Sequence, residues 1–305
     1  MRDDTPASLA RLLTGLIDYA GLFPPAALPM DEAVERYDRY RGSARSWALG
    51  RFIVPAARFE EFCQAFSGLK DGAARGAWAV SVLADPPLAP MIERLRDLAP
   101  AGVRIESFES RVRGEDDLQS LAAAAGGYEI FAEMPLAPAP VSLLALARNA
   151  GCAAKIRTGG TTPQAFPASR PLAEFLATCV EQRVPFKATA GLHHPVRSPH
   201  PVTYEAGAPC ATMHGFLNVF LGCVLLAARV GTAQDVEELL EEVDPAAFLF
   251  EDDRAGWRGR WVSIADIGQA RRLARSFGSC SFEEPIEDLE RLGFFGLRSR
   301  GSTKT

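Results

Sequence analysis

The sequence predicts an α/β chain closed into an eight-stranded (β/α)8 barrel of the TIM type. Three observations predict it. Short apolar runs alternate with amphipathic stretches from one end of the chain to the other. Strand and helix together recur at roughly thirty residues, the unit length of such barrels. The chain has 305 residues, which suits a barrel of about 250 residues with insertions.

The predicted strands are Gly15–Ala20, Leu49–Pro55, Trp78–Ala84, Val103–Phe108, Tyr128–Met134, Cys152–Thr158 and Val184–Ala190. Each is short, rich in Val, Ile, Phe or Ala, and bounded by Gly, Pro or Asp, the pattern of buried parallel strands. Between them the helical period marks Met30–Arg41, Ala57–Phe66, Leu88–Leu98, Glu115–Ala125, Val141–Ala150 and Leu172–Arg183. Asp31 and Asp116 suit helix starts, and Gly126 and Gly151 suit stops.

The eighth strand is expected at residues 276–281, with 247–251 as the alternative. Residues 195–275 then form an enlarged region between strand 7 and strand 8. It is expected to hold an apolar helix over 214–230, a helix near 233–243, and a hairpin pairing Ala247–Glu251 with Arg260–Ser263. A further helix is expected near 264–275, and another beginning near Pro285. No linker or repeat divides the chain, so residues 1–305 read as one domain. The polar tail Arg298–Thr305 is expected to be disordered.

Composition narrows the function. Hydrophobic residues make up 48% and charged residues 23%, ordinary for a globular chain with a sizeable core. A net charge of -5 gives no case for nucleic acid or an anionic membrane surface. The acidic start MRDDTPASLA is no signal peptide. The most apolar window, Phe216–Val230, is too short to span a bilayer and carries Asn218. Six cysteines without a CxxC pair read as free thiols of a reducing, cytoplasmic compartment.

Two biases point toward a site. There are only four lysines, Lys70, Lys155, Lys187 and Lys304, and two lie in the middle of apolar strands. All four histidines, His193, His194, His200 and His214, fall in one short stretch. Barrel enzymes carry their catalytic groups at the C-terminal ends of strands. The groups expected there are Asp18 on strand 1, Glu106 on strand 4, Glu133 on strand 5, and Lys155 with Arg157, Thr158 and Gly159 on strand 6. Strand 7 supplies Lys187, Thr189, Gly191, His193 and His194.

Neighbouring strands lie about 4.8 Å apart, so Lys155 and Lys187 can share one pocket. Two nearby, partly desolvated cations lower each other's pKa. A lysine so depressed is a free amine that attacks a carbonyl to form a Schiff base. Asp18 and Glu106 would then move protons. The competing reading locks both lysines in buried ion pairs with Glu106, Glu133 or Asp18.

The chain resembles the deoxyribose-phosphate aldolases and the wider class I aldolase barrels. Leu16-Ile17-Asp18-Tyr19 through Pro25 is similar to their first strand, and Phe52-Ile53-Val54-Pro55 to their second. Ile105-Glu106 falls where the family has Ile-Asp, and Ile130–Glu133 is similar to the Glu-bearing fifth strand. Lys155-Ile156-Arg157-Thr158-Gly159 resembles the motif of the Schiff-base lysine. Lys187-Ala188-Thr189-Ala190-Gly191-Leu192 resembles that of the second lysine. Phe277-Gly278-Ser279-Cys280-Ser281 is similar to the phosphate-binding run at strand 8. The resemblance implies a lyase with Lys155 as nucleophile, no cofactor, and Gly278, Ser279 and Ser281 near a phosphorylated or plain small carbonyl substrate.

The sequence also departs from that family. Arg157 replaces a small hydroxyl residue, Ala190 a glycine of the phosphate cradle, and Glu106 an aspartate; His193-His194 stand where the family has an Arg-Thr type pair. These changes suggest a different anionic or hydroxylated group at the mouth. A second enzyme reading is a metal-dependent sugar isomerase or epimerase using His193, His194 and Glu133, although no HxxxH or HExxH spacing is present. A third is an inactive barrel kept as a scaffold. The apolar helix reads as buried or at an interface, and the Trp257 and Trp261 pair as packing the hairpin against the barrel or a partner subunit; with the hairpin, that helix is the surface on which a homodimer is expected.

Overall fold

Eight parallel strands close on themselves in the computed structural model, which describes residues 5–69, 76–85, 88–136 and 140–295. They are β1 (Ile17–Tyr19), β2 (Leu49–Pro55), β3 (Trp78–Leu83), β4 (Val103–Arg111), β5 (Glu129–Glu133), β6 (Ala153–Arg157), β7 (Phe186–Thr189) and β8 (Ala274–Ser279). β8 closes the ring by pairing with β7 on one side and β1 on the other. Helices follow the strands, as the (β/α)8 prediction requires. The tail expected to be disordered lies outside the described residues, as do Lys70 and Lys304.

Apolar burial explains the order. The strands are buried on both faces, so their side chains fill either the barrel interior or the layer beneath the helices. Around β1–β3 that layer is aromatic: Tyr19, Tyr37, Phe52, Phe62 and Trp78 interlock, with the Tyr37 and Trp78 rings 4.7 Å apart. Each such pair adds about 0.5–1.5 kcal/mol beyond the area it buries.

Strand 8 begins two residues earlier than the sequence suggests. The helix expected over 264–275 ends at Ala270, which frees Ala274 onward to pair. Residues 247–251 are not a barrel strand. Phe248–Phe250 belongs to a separate three-stranded antiparallel sheet whose middle strand is Arg254–Trp257 and whose third is Arg260–Ser263. The expected hairpin thus has an additional strand in its middle, where a turn was predicted. A second pairing, Ser198–Pro201 with Cys210–Met213, places His200 on a strand.

The apolar helix runs Phe216–Ala227, and every residue from Phe216 to Leu225 is buried within the chain. A helix apolar all round needs neighbours on all sides. Here they are the helices Ser169–Gln182, Ala233–Leu240 and Ile264–Ala270. Trp257 is likewise fully buried, its indole N–H donating to Glu242 Oε2 at 3.1 Å. The apolar helix and Trp257 are therefore packed within the chain, the buried alternative for both. Among the described residues no helix is long and apolar enough to cross a membrane.

Candidate active site

Strand register brings the charged residues together. Lys155 on β6 pairs with Glu133 on β5 and with Lys187 on β7. β4 adds its carboxylate through an irregularity. Val80 pairs with Ile105, but the next residue, Ser81, pairs with Ser107, so Glu106 is an extra residue in the ladder. After that bulge the alternation restarts, and Ser107, Glu109 and Arg111 follow one another on the inner side.

Glu109 is the hub of the cluster. One of its oxygens lies 2.9 Å from Lys155 Nζ and the other 2.6 Å from Lys187 Nζ. Lys187 also donates to Asp18 Oδ2 at 2.6 Å, and Lys155 lies 2.9 Å from Glu133 Oε2. Behind them Ser81 donates to Glu109 at 2.7 Å, Ser107 donates to Ser81 at 2.7 Å, and Ser276 donates to Asp18 at 2.7 Å. Asp18 fits because Gly50 faces it: a Cβ on residue 50 would stand 2.3 Å from Asp18 Oδ1. Lys187 is fully buried, with its ammonium 5.2 Å from the centre of the Phe131 ring.

This arrangement alters the expected electrostatics. Burial alone would raise the Glu109 carboxyl, but the two ammonium groups hold it well below the usual carboxylate range. Burial likewise pulls Lys187 down, yet Asp18 and Glu109 more than reverse it, so its pKa is raised. The mutual depression expected of two adjacent cations is thus absent from Lys187, because a carboxylate stands between them. Glu133, although buried, is lowered by Lys155 and, more weakly, by Arg157 and Arg111.

Glu106 does not join the lysines. It pairs with Arg51 at 3.0 Å and with Arg104, and Arg51 continues to Glu129 at 2.9 Å. That network lies toward the opposite, N-terminal end of the barrel, where Glu129 opens β5. The position anticipated for Glu106 is taken by Glu109, which sequence alternation misses because the bulge shifts the phase by one residue.

Above the cluster opens a cavity of about 660 Å³. Lys155, Glu109, Glu133, Arg111, Arg157, Thr189, Gly191, His193, His194 and Gly278 all line it, whereas Lys187 and Asp18 lie beneath the surface. Arg157 and Arg111 approach Glu133 Oε1 at 3.7 and 3.4 Å and remain half or more exposed. Gly159 and Gly191 serve backbone packing. Gly191 has φ +76, and a Cβ there would lie 2.8 Å from Gly159 Cα and 2.8 Å from the Phe166 ring. Thr158 is buried, its hydroxyl donating to Ala190 O at 2.5 Å. Ala190 itself takes the left-handed conformation, φ 60, that a glycine holds more cheaply.

The second wall is built from histidine–carboxylate pairs. His193 Nδ1 meets Glu284 Oε2 at 2.9 Å, and His194 Nδ1 meets Asp288 Oδ2 at 2.5 Å. Both carboxylates come from the helix Glu283–Arg291 that follows β8. His200 stacks flat on His194 with ring centres 3.3 Å apart. His214 is used structurally, bonded to Pro167 O at 2.8 Å and near Arg197. Glu133 belongs to Lys155 rather than to the histidines. Among the described residues no three His, Cys, Asp or Glu side chains are grouped to hold a metal. Ser279 is buried with its hydroxyl 3.5 Å from His193 Nδ1, and Ser281 accepts from the Glu284 N–H at 3.1 Å.

Fold and site together define a (β/α)8 barrel with a lysine–carboxylate cluster at the floor of an open cavity, at the C-terminal ends of its strands. No protein-family model and no curated protein sequence matches the chain. Among solved structures it is similar to a chain assigned as a deoxyribose-phosphate aldolase from Coccidioides immitis. That likeness has 9% identity and a TM-score of 0.45, over 93% of this chain and 88% of that one. It is also similar to lysine/ornithine decarboxylase from Vibrio vulnificus in complex with cadaverine, at 11% identity and TM-score 0.39, over 89% and 58% of the two chains. A third is QR15, an aldolase, at 12% identity and TM-score 0.35, over 61% and 83%. At such identities the reading of the site rests on its own geometry.

Proposed function

We propose that the chain is a Schiff-base-forming carbon–carbon lyase of the class I aldolase kind, acting on a small carbonyl or sugar-like substrate through Lys155. One observation carries this reading. Of the two clustered lysines, Lys155 lines the cavity while Lys187 is sealed below it. A nucleophile must reach its carbonyl, and only Lys155 can.

The surroundings suit the chemistry. Two carboxylates within 2.9 Å hold the Lys155 side chain in place at the cavity floor. The iminium formed after water leaves is again a cation, and Glu109 and Glu133 stabilise it as they stabilised the ammonium. Lys187, held cationic by Asp18 and Glu109, fixes the Glu109 carboxylate in place. Arg157 and Arg111 offer donors at the rim for an anionic or hydroxylated part of the substrate.

Borohydride trapping tests it. The protein is incubated with acetaldehyde, pyruvate or dihydroxyacetone, reduced, and read by intact mass. A mass gain that survives in Lys187→Ala but is lost in Lys155→Ala is the expected result. No adduct with any of the three carbonyls would overturn the proposal.

A further inference from the structure

An aldolase-type reaction needs a second group beyond the amine. Once the imine exists, something must take a proton from the carbon beside it, or from a substrate hydroxyl in the cleavage direction. The lysine cluster is poorly suited to that task. Asp18 lies beneath the cavity, and Glu109 and Glu133 each bind ammonium groups that favour their charged, weakly basic form. Lys187 is a buried cation with two carboxylate partners.

A second wall of the same cavity holds a group of the right kind. His193 lies just beyond β7, is 8% exposed and lines the cavity. Its Nδ1 is 2.9 Å from Glu284 Oε2, and the Tyr204 hydroxyl donates to that same oxygen at 3.2 Å. Burial would raise the Glu284 carboxyl, but the bond from His193, the neighbouring histidines and Tyr204 lower it, so it is an acceptor. An accepting carboxylate fixes the hydrogen on Nδ1 and leaves the Nε2 lone pair for the substrate. Further contacts tie the wall together: His194 bonds Asp288, His200 stacks on His194, and Cys280 lies 3.5 Å from the Tyr204 hydroxyl.

We propose that His193, oriented by Glu284, is the base that removes the Cα proton of the Lys155 imine. The inference rests on the Schiff-base reading. In the step, His193 Nε2 takes the proton and the C–H electron pair becomes the C=C bond of an enamine. The C=N π pair returns to Nζ and neutralises the iminium. The imidazolium that results faces Glu284. Reversal delivers a proton, or a deuteron in heavy water, back to carbon. Glu284 is a positioning residue, since it acts through His193.

Acetaldehyde in D2O tests this with two separate readouts. Borohydride trapping reports imine formation, and loss of the methyl proton NMR signal reports exchange at Cα. His193→Gln is expected to trap within about two-fold of wild type while exchange falls at least ~100-fold, the scale of a lost general base. Exchange by His193→Ala should recover several-fold with added imidazole, a response that a purely structural histidine would not give. Glu284→Gln should slow exchange, and Glu284→Asp, which keeps a carboxylate, should recover part of it. Wild-type exchange in His193→Gln, or joint loss of trapping and exchange without imidazole rescue in His193→Ala, overturns the assignment. Absence of trapping in the wild-type protein overturns instead the Schiff-base reading on which it stands.

Discussion

Lys155 and Lys187 are register partners on adjacent parallel strands, yet one carboxylate, Glu109, stands between their ammonium groups, 2.9 Å from one and 2.6 Å from the other. The two cations are therefore bridged rather than opposed. Glu109→Gln removes the bridge and leaves two buried ammonium groups with less compensation than they need. Breaking a buried ion network from one side costs roughly 3–5 kcal/mol. Urea unfolding should show a loss of that order in Glu109→Gln. A loss under about 1 kcal/mol would mean that Asp18 and Glu133 suffice for the lysines.

The same cluster sets how stability follows pH. Glu109 and Glu133 have folded-state pKa values below the usual range, because the lysines outweigh burial. Their contribution is complete above the unfolded carboxylate pKa of about 4.3 and is lost as pH falls below it. Lys187 has a raised pKa, because Asp18 and Glu109 outweigh burial. Its contribution is complete below the unfolded lysine pKa of about 10.4 and is lost as pH rises through the folded value. The cluster's contribution to unfolding free energy should thus be level from about pH 5 to about pH 10 and fall on either side. A steady gain between about pH 7 and pH 10 would instead mark a lysine depressed by its neighbours.

His200 provides an independent check on the cavity wall. Burial and the adjacent His194 push it down to about 4, against weaker opposing effects of Asp288 and Glu284. It is neutral at neutral pH, as the flat stack on His194 requires. NMR titration should show one imidazole with a midpoint near 4 that disappears in His200→Gln. The folded pKa lies below the unfolded one, so this histidine adds nothing above about pH 6.5 and destabilises increasingly as pH falls toward 4. A midpoint near 6.5 would show that the stack does not form in solution.

The barrel and its two lysines were legible because both follow from local pattern. Buried parallel strands leave runs of Val, Ile and Phe, and Lys155 and Lys187 interrupt such runs where an unpaired charge would be costly. Glu109 was hidden by a single backbone event. Strict alternation from Ile105 selects Glu106 for the interior layer beside the lysines, and the bulge at that residue hands the place to Glu109. Glu284 and Asp288 were hidden for another reason. They come from a helix about ninety residues beyond His193 and His194, and no periodicity in either segment announces a pairing made only when β8 closes the ring against β7.

The strand-8 turn resembles a phosphate-binding run in sequence, but its surroundings argue for an unphosphorylated ligand at that end. The Ser281 hydroxyl already accepts from the Glu284 N–H, and Ser279 is buried beside His193. Glu283 and Glu284 occupy the first turn, where carboxylates satisfy the helix dipole that would otherwise attract an anion. The solvent-exposed cationic donors of the cavity are Arg157 and Arg111, which share Glu133 Oε1. Adduct formation with dihydroxyacetone and with dihydroxyacetone phosphate, compared as half-saturating concentrations, should differ by less than about ten-fold, or ~1.4 kcal/mol. Should the phosphate ester bind more tightly than that, Arg157→Met and Glu283→Gln locate it. A loss of the advantage in Arg157→Met puts the phosphate at the arginine rim. A gain in Glu283→Gln with no effect of Arg157→Met puts it at strand 8 and refutes the exclusion argued from Glu283 and Glu284.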